Sequence, residues 1–185
     1  LTSKNQVIGH NKQYILISDF SLLNKLTGEV LTDNVTKKYS NTSYNKVYHA
    51  GAAAVSKNKR FFTFDIDNRT ISEINSQGVK KKIVKLPITI LGESVVEEML
   101  ASDDGNYLFV ITKESRRGTG DAFFHMIDVK SKSIVFEKYL GTMSTFQGFL
   151  QLISDNIIIS FLNPISSKSS GNIITFRYKF NVINN

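Results

Sequence analysis

Several residue types and motifs that would indicate a function are missing from this sequence. It contains no cysteine, which excludes disulfides, thiolate metal sites and cysteine nucleophiles. It contains no tryptophan, so no repeat signature that includes this residue is present. The phosphate-binding loop, the dinucleotide fingerprint, the Gly-x-Ser-x-Gly elbow and the His-Glu-x-x-His pair are also absent. The common nucleotide, hydrolase and zinc-protease motifs therefore assign no activity.

Long apolar runs are missing as well. The longest, such as Ile157 to Leu162, have the length of a strand and not the roughly 20 residues of a membrane-spanning helix. No transmembrane segment is predicted. The sequence starts at Leu1 and not at methionine, so we expect a chain that was processed, cut or excerpted. No charged-then-apolar leader follows Leu1, so no signal peptide is visible.

Composition indicates a folded protein with a basic surface. The hydrophobic fraction is 41% and the charged fraction 21%, as in globular domains. The net charge of +7 favours acidic partners, which include nucleic acid, anionic membranes and acidic protein faces. Lysine is spread over the whole length, however, as on an ordinary solubilising surface. Nucleic-acid binding is therefore a minor alternative.

A turn followed by an apolar strand recurs four times along the chain. The equivalent positions Lys12, Lys59, Asn106 and Asn156 are separated by 47, 47 and 50 residues. A period in the forties that is filled with short strands is typical of β-propeller blades. We predict an all-β chain with about four four-stranded antiparallel blades in one domain, at approximately residues 1–36, 47–88, 94–140 and 144–185. A β-sandwich is the competing fold.

Local patterns agree with short strands and tight turns. Gly28 and the run Asp103-Asp104-Gly105 predict hairpin turns, because glycine accepts a positive φ and aspartate bonds its own backbone. The segment Gly92 to Leu100 could form a helical turn, but a strand entering the third blade is preferred.

The strands also differ in their predicted position within a blade. Small residues from Ala50 to Ala54 suit an innermost strand near the central axis. The continuous apolar runs Tyr107 to Ile111 and Ile157 to Ile159 predict second strands covered on both faces. The four lysines between Val79 and Leu86 suit a rim strand that must not recruit neighbours.

One stretch resembles a known family. The run Ser102-Asp103-Asp104-Gly105-Asn106-Tyr107-Leu108-Phe109-Val110, followed by Phe124-His125-Met126-Ile127-Asp128, resembles blades of WD40-like and YVTN-type propellers. The resemblance implies a strand, a turn and a strand in the first part and the next strand in the second.

The length raises the question of closure. At about 47 residues a blade, 185 residues make just under four blades, whereas propellers close with four to eight. We predict a partial propeller, completed by another chain or by a part not included. Two apolar blade faces would then be exposed.

Catalytic candidates are few. The three histidines are far apart in sequence, and His125 lies in an apolar strand, where a packed core residue is expected. The adjacent acids Asp103/Asp104 and Glu97/Glu98 do not converge, since neighbours on a strand point to opposite faces. We predict no catalytic residue, no metal and no cofactor.

Cations in two loops are the candidate binding site. Lys113, Arg116 and Arg117 precede a Gly-Thr-Gly run, and Lys168 lies in the corresponding loop of the fourth blade. Together they predict an anion-receptive or acidic-peptide site, with a solvated loop as the alternative. The favoured function is a non-catalytic protein–protein interaction scaffold within a larger propeller or assembly. A lactonase- or glycosidase-like propeller hydrolase and a basic nucleic-acid-binding β domain are the alternatives.

Overall fold

The protein is described from a computed structural model. The structure describes residues 7–11, 13–17, 22–31, 53–65, 68–74, 79–87, 95–114, 119–143, 148–154, 156–163 and 172–179. Every regular element within these ranges is a β-strand, and the strands form four antiparallel sheets. The predicted all-β class is therefore confirmed.

Each sheet is a meander whose strands follow one another in sequence order. Sheet 1 contains β1 (Val7–His10), β2 (Tyr14–Ile17), β3 (Leu22–Asn24) and β4 (Val30–Leu31). Sheet 2 contains β5 (Ala53–Val55), β6 (Phe61–Asp65), β7 (Thr70–Ile74) and β8 (Lys80–Lys85). Sheet 3 contains β9 (Val95–Ala101), β10 (Tyr107–Lys113), β11 (Gly120–Asp128) and β12 (Ser133–Met143). Sheet 4 contains β13 (Gly148–Ile153), β14 (Asn156–Asn163) and β15 (Asn172–Lys179).

The first strand of each sheet lies next to the first strand of the following sheet. Strand β1 contacts β5, β5 contacts β9, and β9 contacts β13, while β1 also reaches β9. Four meanders whose first strands surround one axis form the blade arrangement of a β-propeller. A sandwich would instead merge the strands into two facing layers.

Apolar side chains fill the spaces between neighbouring sheets. Between sheets 2 and 3 the buried set includes Phe62, Ile71, Met99, Leu108 and Val110. Between sheets 3 and 4 it includes Phe109, Ile111, Phe124, Ile159 and Phe161. Strand β10 thus alternates between two cores, which confirms the prediction that it is covered on both faces.

Several local predictions are confirmed. The residues 95–101 form strand β9 and no helix. Gly28 and Gly105 have φ values of +70° and +73°, as their turns require. In the turn that contains Gly105, Asp104 Oδ1 accepts a hydrogen bond of 2.9 Å from Asn106 N–H. Strand β8 is the outermost strand of sheet 2, and its three consecutive lysines, 80–82, are exposed.

The predicted small residues lie where two sheets approach most closely. Ala53 and Ala54 of β5 are completely buried. A Cβ added to Gly9 of β1 would lie 2.4 Å from the carbonyl oxygen of Ala53, far inside van der Waals contact. A larger side chain at Gly9 would push β1 away from β5. The rest of the alanine run, 50–52, lies outside the described residues.

Hydrogen bonds from hairpin turns link neighbouring sheets. Asn11 Nδ2 donates to Val55 O at 3.1 Å, which joins sheet 1 to sheet 2. Lys57 N donates to Asp103 O at 3.1 Å, which joins sheet 2 to sheet 3. One bond has a side-chain donor and the other a backbone donor, and both hold the end of a first strand or its turn against the next sheet.

Arg60 strengthens the link between sheets 2 and 3. Its guanidinium donates twice to the Glu73 carboxylate, at 2.7 and 3.1 Å, and once to Gly105 O at 2.8 Å. A Cβ on Gly105 would lie 2.8 Å from the Arg60 Cδ, so the turn of sheet 3 needs glycine both for its φ and for this contact.

Candidate functional site

A cavity of about 180 Å³ opens at the end of the central axis, where residues of sheets 1, 3 and 4 meet. Its floor is apolar and includes Leu100 and Ala101 of β9 and Leu150 and Leu152 of β13. Its rim is polar: His10, Asn11, Lys25, Asp103 and Gln151. The cavity therefore combines a hydrophobic base with several hydrogen-bonding groups, as small-ligand sites do.

Two turns hold the basic side of the rim in place. Asn11 Oδ1 accepts the N–H groups of Gln13 and Tyr14, both at 2.7 Å, and so closes the turn after His10. Asn24 Oδ1 accepts Leu26 N–H at 2.9 Å, which shapes the turn that carries Lys25. Asparagine forms such turns readily, because its side chain mimics a backbone carbonyl.

Lys25 and His10 lie close together on this rim. Lys25 Nζ donates to Asn11 O at 2.6 Å. The pKa of His10 is lowered, first by burial of the ring and then by the Lys25 ammonium. His10 is therefore a neutral imidazole at pH 7 that stands beside a fixed positive charge.

A carboxyl group with an unusual pKa lies on β9, the strand that also carries Leu100 and Ala101 of the cavity. Glu98 of β9 accepts the N–H of Leu150 at 2.9 Å, across the space between sheets 3 and 4. Strand β13 pairs with β14 on its other edge, so this N–H points toward the axis. Burial raises the pKa of Glu98 to about 7, although the Leu150 hydrogen bond opposes the shift. A carboxyl that titrates near neutrality is suited to proton transfer.

Sheet 3 also contains a line of three polar side chains, of which two are buried and Glu137 is exposed. Thr112 Oγ1 lies 2.8 Å from His125 Nε2, and His125 Nδ1 lies 3.0 Å from Glu137 Oε2. The Nδ1–Oε2 contact is electrostatic, since Nδ1 makes no hydrogen bond of good geometry. Burial lowers the pKa of His125 despite the neighbouring carboxylate.

This line is not a nucleophilic site. Thr112 is 6% exposed and His125 is 3% exposed, so the hydroxyl is closed to a substrate. His125 is therefore a hydrogen-bonded core residue, as its apolar strand predicts.

The structure describes one of the four predicted partner-binding cations. Lys113 is the last residue of β10, and its side chain is 4% exposed. Its Nζ lies 4.0 Å from Glu97 Oε1. Arg116, Arg117 and Lys168 lie outside the described residues, so their grouping stays a prediction.

The axial cavity was missed by sequence reasoning. Its residues come from three sheets, and none of them forms a recognisable motif. Glu98 was considered only as half of the Glu97/Glu98 pair, and its pKa depends on burial that the sequence does not reveal. The sequence signal nearest to His10 and Lys25 is the turn-forming asparagine beside each of them, Asn11 and Asn24.

A metal-binding cluster and a membrane-spanning helix are both absent from the described residues. These residues contain no group of three or more histidine, aspartate or glutamate residues placed to hold a metal ion. They also contain no helix with the length and apolar character needed to cross a membrane.

Solved structures of similar fold exist. The uncomplexed acylaminoacyl peptidase of Pyrococcus horikoshii has a TM-score of 0.54 at 10% identity, over 96% of this chain and 32% of that chain. The β-propeller domain of the trilobed protease of Pyrococcus furiosus has a TM-score of 0.48 at 10% identity, over 96% and 56% of the two chains. The β-propeller domain of Myceliophteria thermophila Cps50 (Swd1) has a TM-score of 0.45 at 10% identity, over 95% and 60%.

No protein-family model and no curated protein matches the sequence. The chain spans about a third of the acylaminoacyl peptidases that it matches, 32% and 33% of their lengths. At such low identity the likeness concerns the fold alone, and the fold itself is identified by the four meanders around an axis. The chain is therefore an all-β protein with the β-propeller fold.

Proposed function

We propose that the chain is a non-catalytic interaction scaffold with WD40-like or YVTN-type blades, and that it forms part of a larger propeller or assembly. The supporting observation is the outer face of sheet 4, the face turned away from sheet 3. Phe149, Ile153 and Ile173 lie on it with exposures of 51%, 45% and 75%. They lie apart on this face, among the polar residues Gln151, Ser160, Thr175 and Arg177, and such a mixture is also found at non-obligate protein interfaces.

The expected occupant of this face is a further antiparallel sheet. The opposite face of sheet 4 packs its buried residues Leu150, Ile159 and Phe161 against sheet 3. Sheet 3 packs on sheet 2 in the same way. A further sheet on the outer face of sheet 4 would extend this series of sheet-on-sheet interfaces.

An association experiment tests this assignment. Sedimentation velocity over a range of concentrations should show self-association of the 185-residue chain, because the apolar face finds the same face on a second copy. Ile173→Asp should reduce it by placing a charge on the face. Leu26→Asp is the matched control, since Leu26 is 89% exposed on the β3–β4 turn of sheet 1. A monomer at all concentrations, or an equal effect of both variants, would contradict the proposal.

The loop cations are proposed as a second contact of the scaffold. Arg116 and Arg117 suit an acidic peptide, because guanidinium groups bind carboxylates with two parallel hydrogen bonds. Lys113 would act from within the strand, by holding β9 and β10 together beside the loop. Arg116→Ala with Arg117→Ala should weaken partner capture and leave the melting temperature unchanged. Unchanged capture would remove this contact from the proposal.

A propeller-type hydrolase is the second candidate, and Glu98 is the observation in its favour. A carboxyl with a pKa of about 7 near the axis could exchange a proton with a substrate. Hydrolysis of chromogenic esters, lactones or glycosides should then follow an apparent pKa near 7, and Glu98→Gln should abolish it. Absence of turnover with all three substrate classes would exclude this candidate.

A further inference from the structure

The axial cavity has one chemically specific feature, a pair of basic groups above an apolar floor. Among the described residues, Lys25 Nζ has the Asn11 carbonyl oxygen as its partner, 2.6 Å away. Two of its three N–H groups are therefore available to a ligand. His10 stands close enough for the ammonium to affect its titration.

The acidic residue of the rim does not neutralise this pair. Asp103 belongs to the β9–β10 turn, and its backbone oxygen is fixed by Lys57 N. The described residues form no ion pair between the Asp103 carboxylate and Lys25 or His10. The basic side of the mouth thus has no carboxylate partner among the described residues.

The floor supplies the second half of a recognition site. Leu152 is partly exposed and Ile153 is 45% exposed, whereas Leu100, Ala101 and Leu150 are nearly fully buried and lie behind them. A cavity of roughly 150 Å³ accommodates a ligand the size of benzene. The volume here, about 180 Å³, therefore admits one branched or aromatic apolar group with its polar head at the rim.

We propose that the mouth of the axis binds a small monocarboxylate with an apolar tail. The carboxylate accepts hydrogen bonds from Lys25 Nζ and from the His10 ring, and the tail lies on Leu152 and Ile153. A free branched-chain acid has this chemistry, and so does the C-terminus of a peptide that ends in an apolar residue. The site goes beyond the scaffold role, since it recognises a ligand and not a sheet face.

Three probes compare a peptide with a free acid, and a charged carboxylate with a neutral amide. Acetyl-Gly-Gly-Leu with a free C-terminus represents the peptide, and 4-methylpentanoate represents the free acid. Acetyl-Gly-Gly-Leu amide keeps the tail and removes the charge. A ligand this small is expected to bind at roughly millimolar concentration, so titration followed by NMR is the suitable measurement.

We expect at least one acid to bind and the amide not to bind. Binding of the peptide acid alone identifies a peptide C-terminus, and binding of 4-methylpentanoate alone identifies a free acid. Binding of both shows that the carboxylate and its tail are sufficient. The His10 resonance should titrate at higher pH in the bound state, because a nearby anion stabilises the imidazolium. Lys25 and Asp103 are the other charged groups of the rim, and Lys25 opposes this shift.

Matched variants locate the site. Lys25→Gln should weaken acid binding by about tenfold or more, as expected for loss of a charged hydrogen-bond donor. Lys57→Gln is the control, because Lys57 is exposed on a turn at the same end of the molecule but does not line the cavity. Failure of both acids to bind, equal binding of the amide, or equal loss in the two variants would overturn the proposal.

Discussion

Sheets 3 and 4 are built from similar sequences but occupy different positions in the stack. In sheet 3, Leu108, Phe109, Val110 and Ile111 of β10 are all completely buried. In sheet 4 the strand β14 has a comparable apolar run, yet Ile158 is only partly buried. Sheet 3 has an apolar core on both faces, whereas the described residues form such a core on only one face of sheet 4. An apolar run therefore indicates that a strand can be buried on both faces, and the position of its sheet in the stack decides whether both faces are covered.

The interface between these two sheets has a more varied composition than a simple apolar layer. Phe124 of sheet 3 stacks on Tyr178 of sheet 4, with ring centroids 5.7 Å apart and planes 10° apart. Glu98 lies at the axial end of the same interface and bonds to Leu150 N–H. The contact between sheets 3 and 4 therefore combines aromatic stacking with a hydrogen bond to a titratable carboxyl group.

The largest expected effect comes from truncating the interior sheet. Phe109→Ala should lower the free energy of unfolding by about 3–5 kcal/mol, because it leaves a cavity between sheets 3 and 4. Phe149→Ala, on the open face of sheet 4, should cost less than about 1 kcal/mol. Urea denaturation followed by circular dichroism measures both. If Phe109→Ala does not fold, Phe109→Leu should still fold, with a loss of about 1 kcal/mol. Equal losses at Phe109 and Phe149 would show that sheet 4 is as covered as sheet 3.

The next effect depends on pH. Because burial raises the folded-state pKa of Glu98 to about 7, its stabilising contribution is complete below pH 4.5 and is lost as the pH rises to about 7. Glu98→Gln removes this titration and keeps an oxygen for Leu150 N–H. Relative to the parent chain, the variant should gain up to about 3 kcal/mol between pH 4 and pH 8.

Thermal melts at several pH values measure this difference. Glu29→Gln is the control, because Glu29 is exposed on the β3–β4 turn. A constant difference between Glu98→Gln and the parent across the pH range would mean that Glu98 is as hydrated in the folded state as in the unfolded chain.

The smallest effect concerns the polar links. Arg60→Ala should cost about 1–3 kcal/mol, because it removes the Glu73 pair and leaves the Gly105 carbonyl without its donor. Arg177→Ala in sheet 4 should cost about 0.5 kcal/mol or less, since Arg177 is exposed and bonds only to Asn156 Oδ1 among described groups. Arg60→Lys separates charge from geometry, because lysine cannot form the paired bonds. Chemical denaturation of the three variants checks the order.

Much of the fold could be predicted from the sequence. The 47-residue spacing, Gly28, the Asp104-Gly105 turn and the lysines of β8 are local signals, and each acts within a few residues of chain. The strand at residues 95–101 was also predictable from its short apolar pattern. These elements follow from backbone preference and side-chain alternation, which do not require knowledge of distant contacts.

The site was less predictable for a physical reason. His10, Lys25 and Leu150 lie far apart in the sequence and meet only because three sheets end at one axis. The pKa of Glu98 depends on desolvation, and desolvation depends on the neighbouring sheet. The predicted loop site remains untested at Arg116, Arg117 and Lys168, while Lys113 is buried beside Glu97.

Local sequence specifies a repeat of short antiparallel strands, with turns and exposed lysines on an outer strand, because these depend on neighbouring residues. The packing of the sheets sets which apolar faces are covered, which carboxyl is desolvated and which polar groups share a cavity. Burial and electrostatic environment are properties of the packed sheets, and residues distant in sequence create them together.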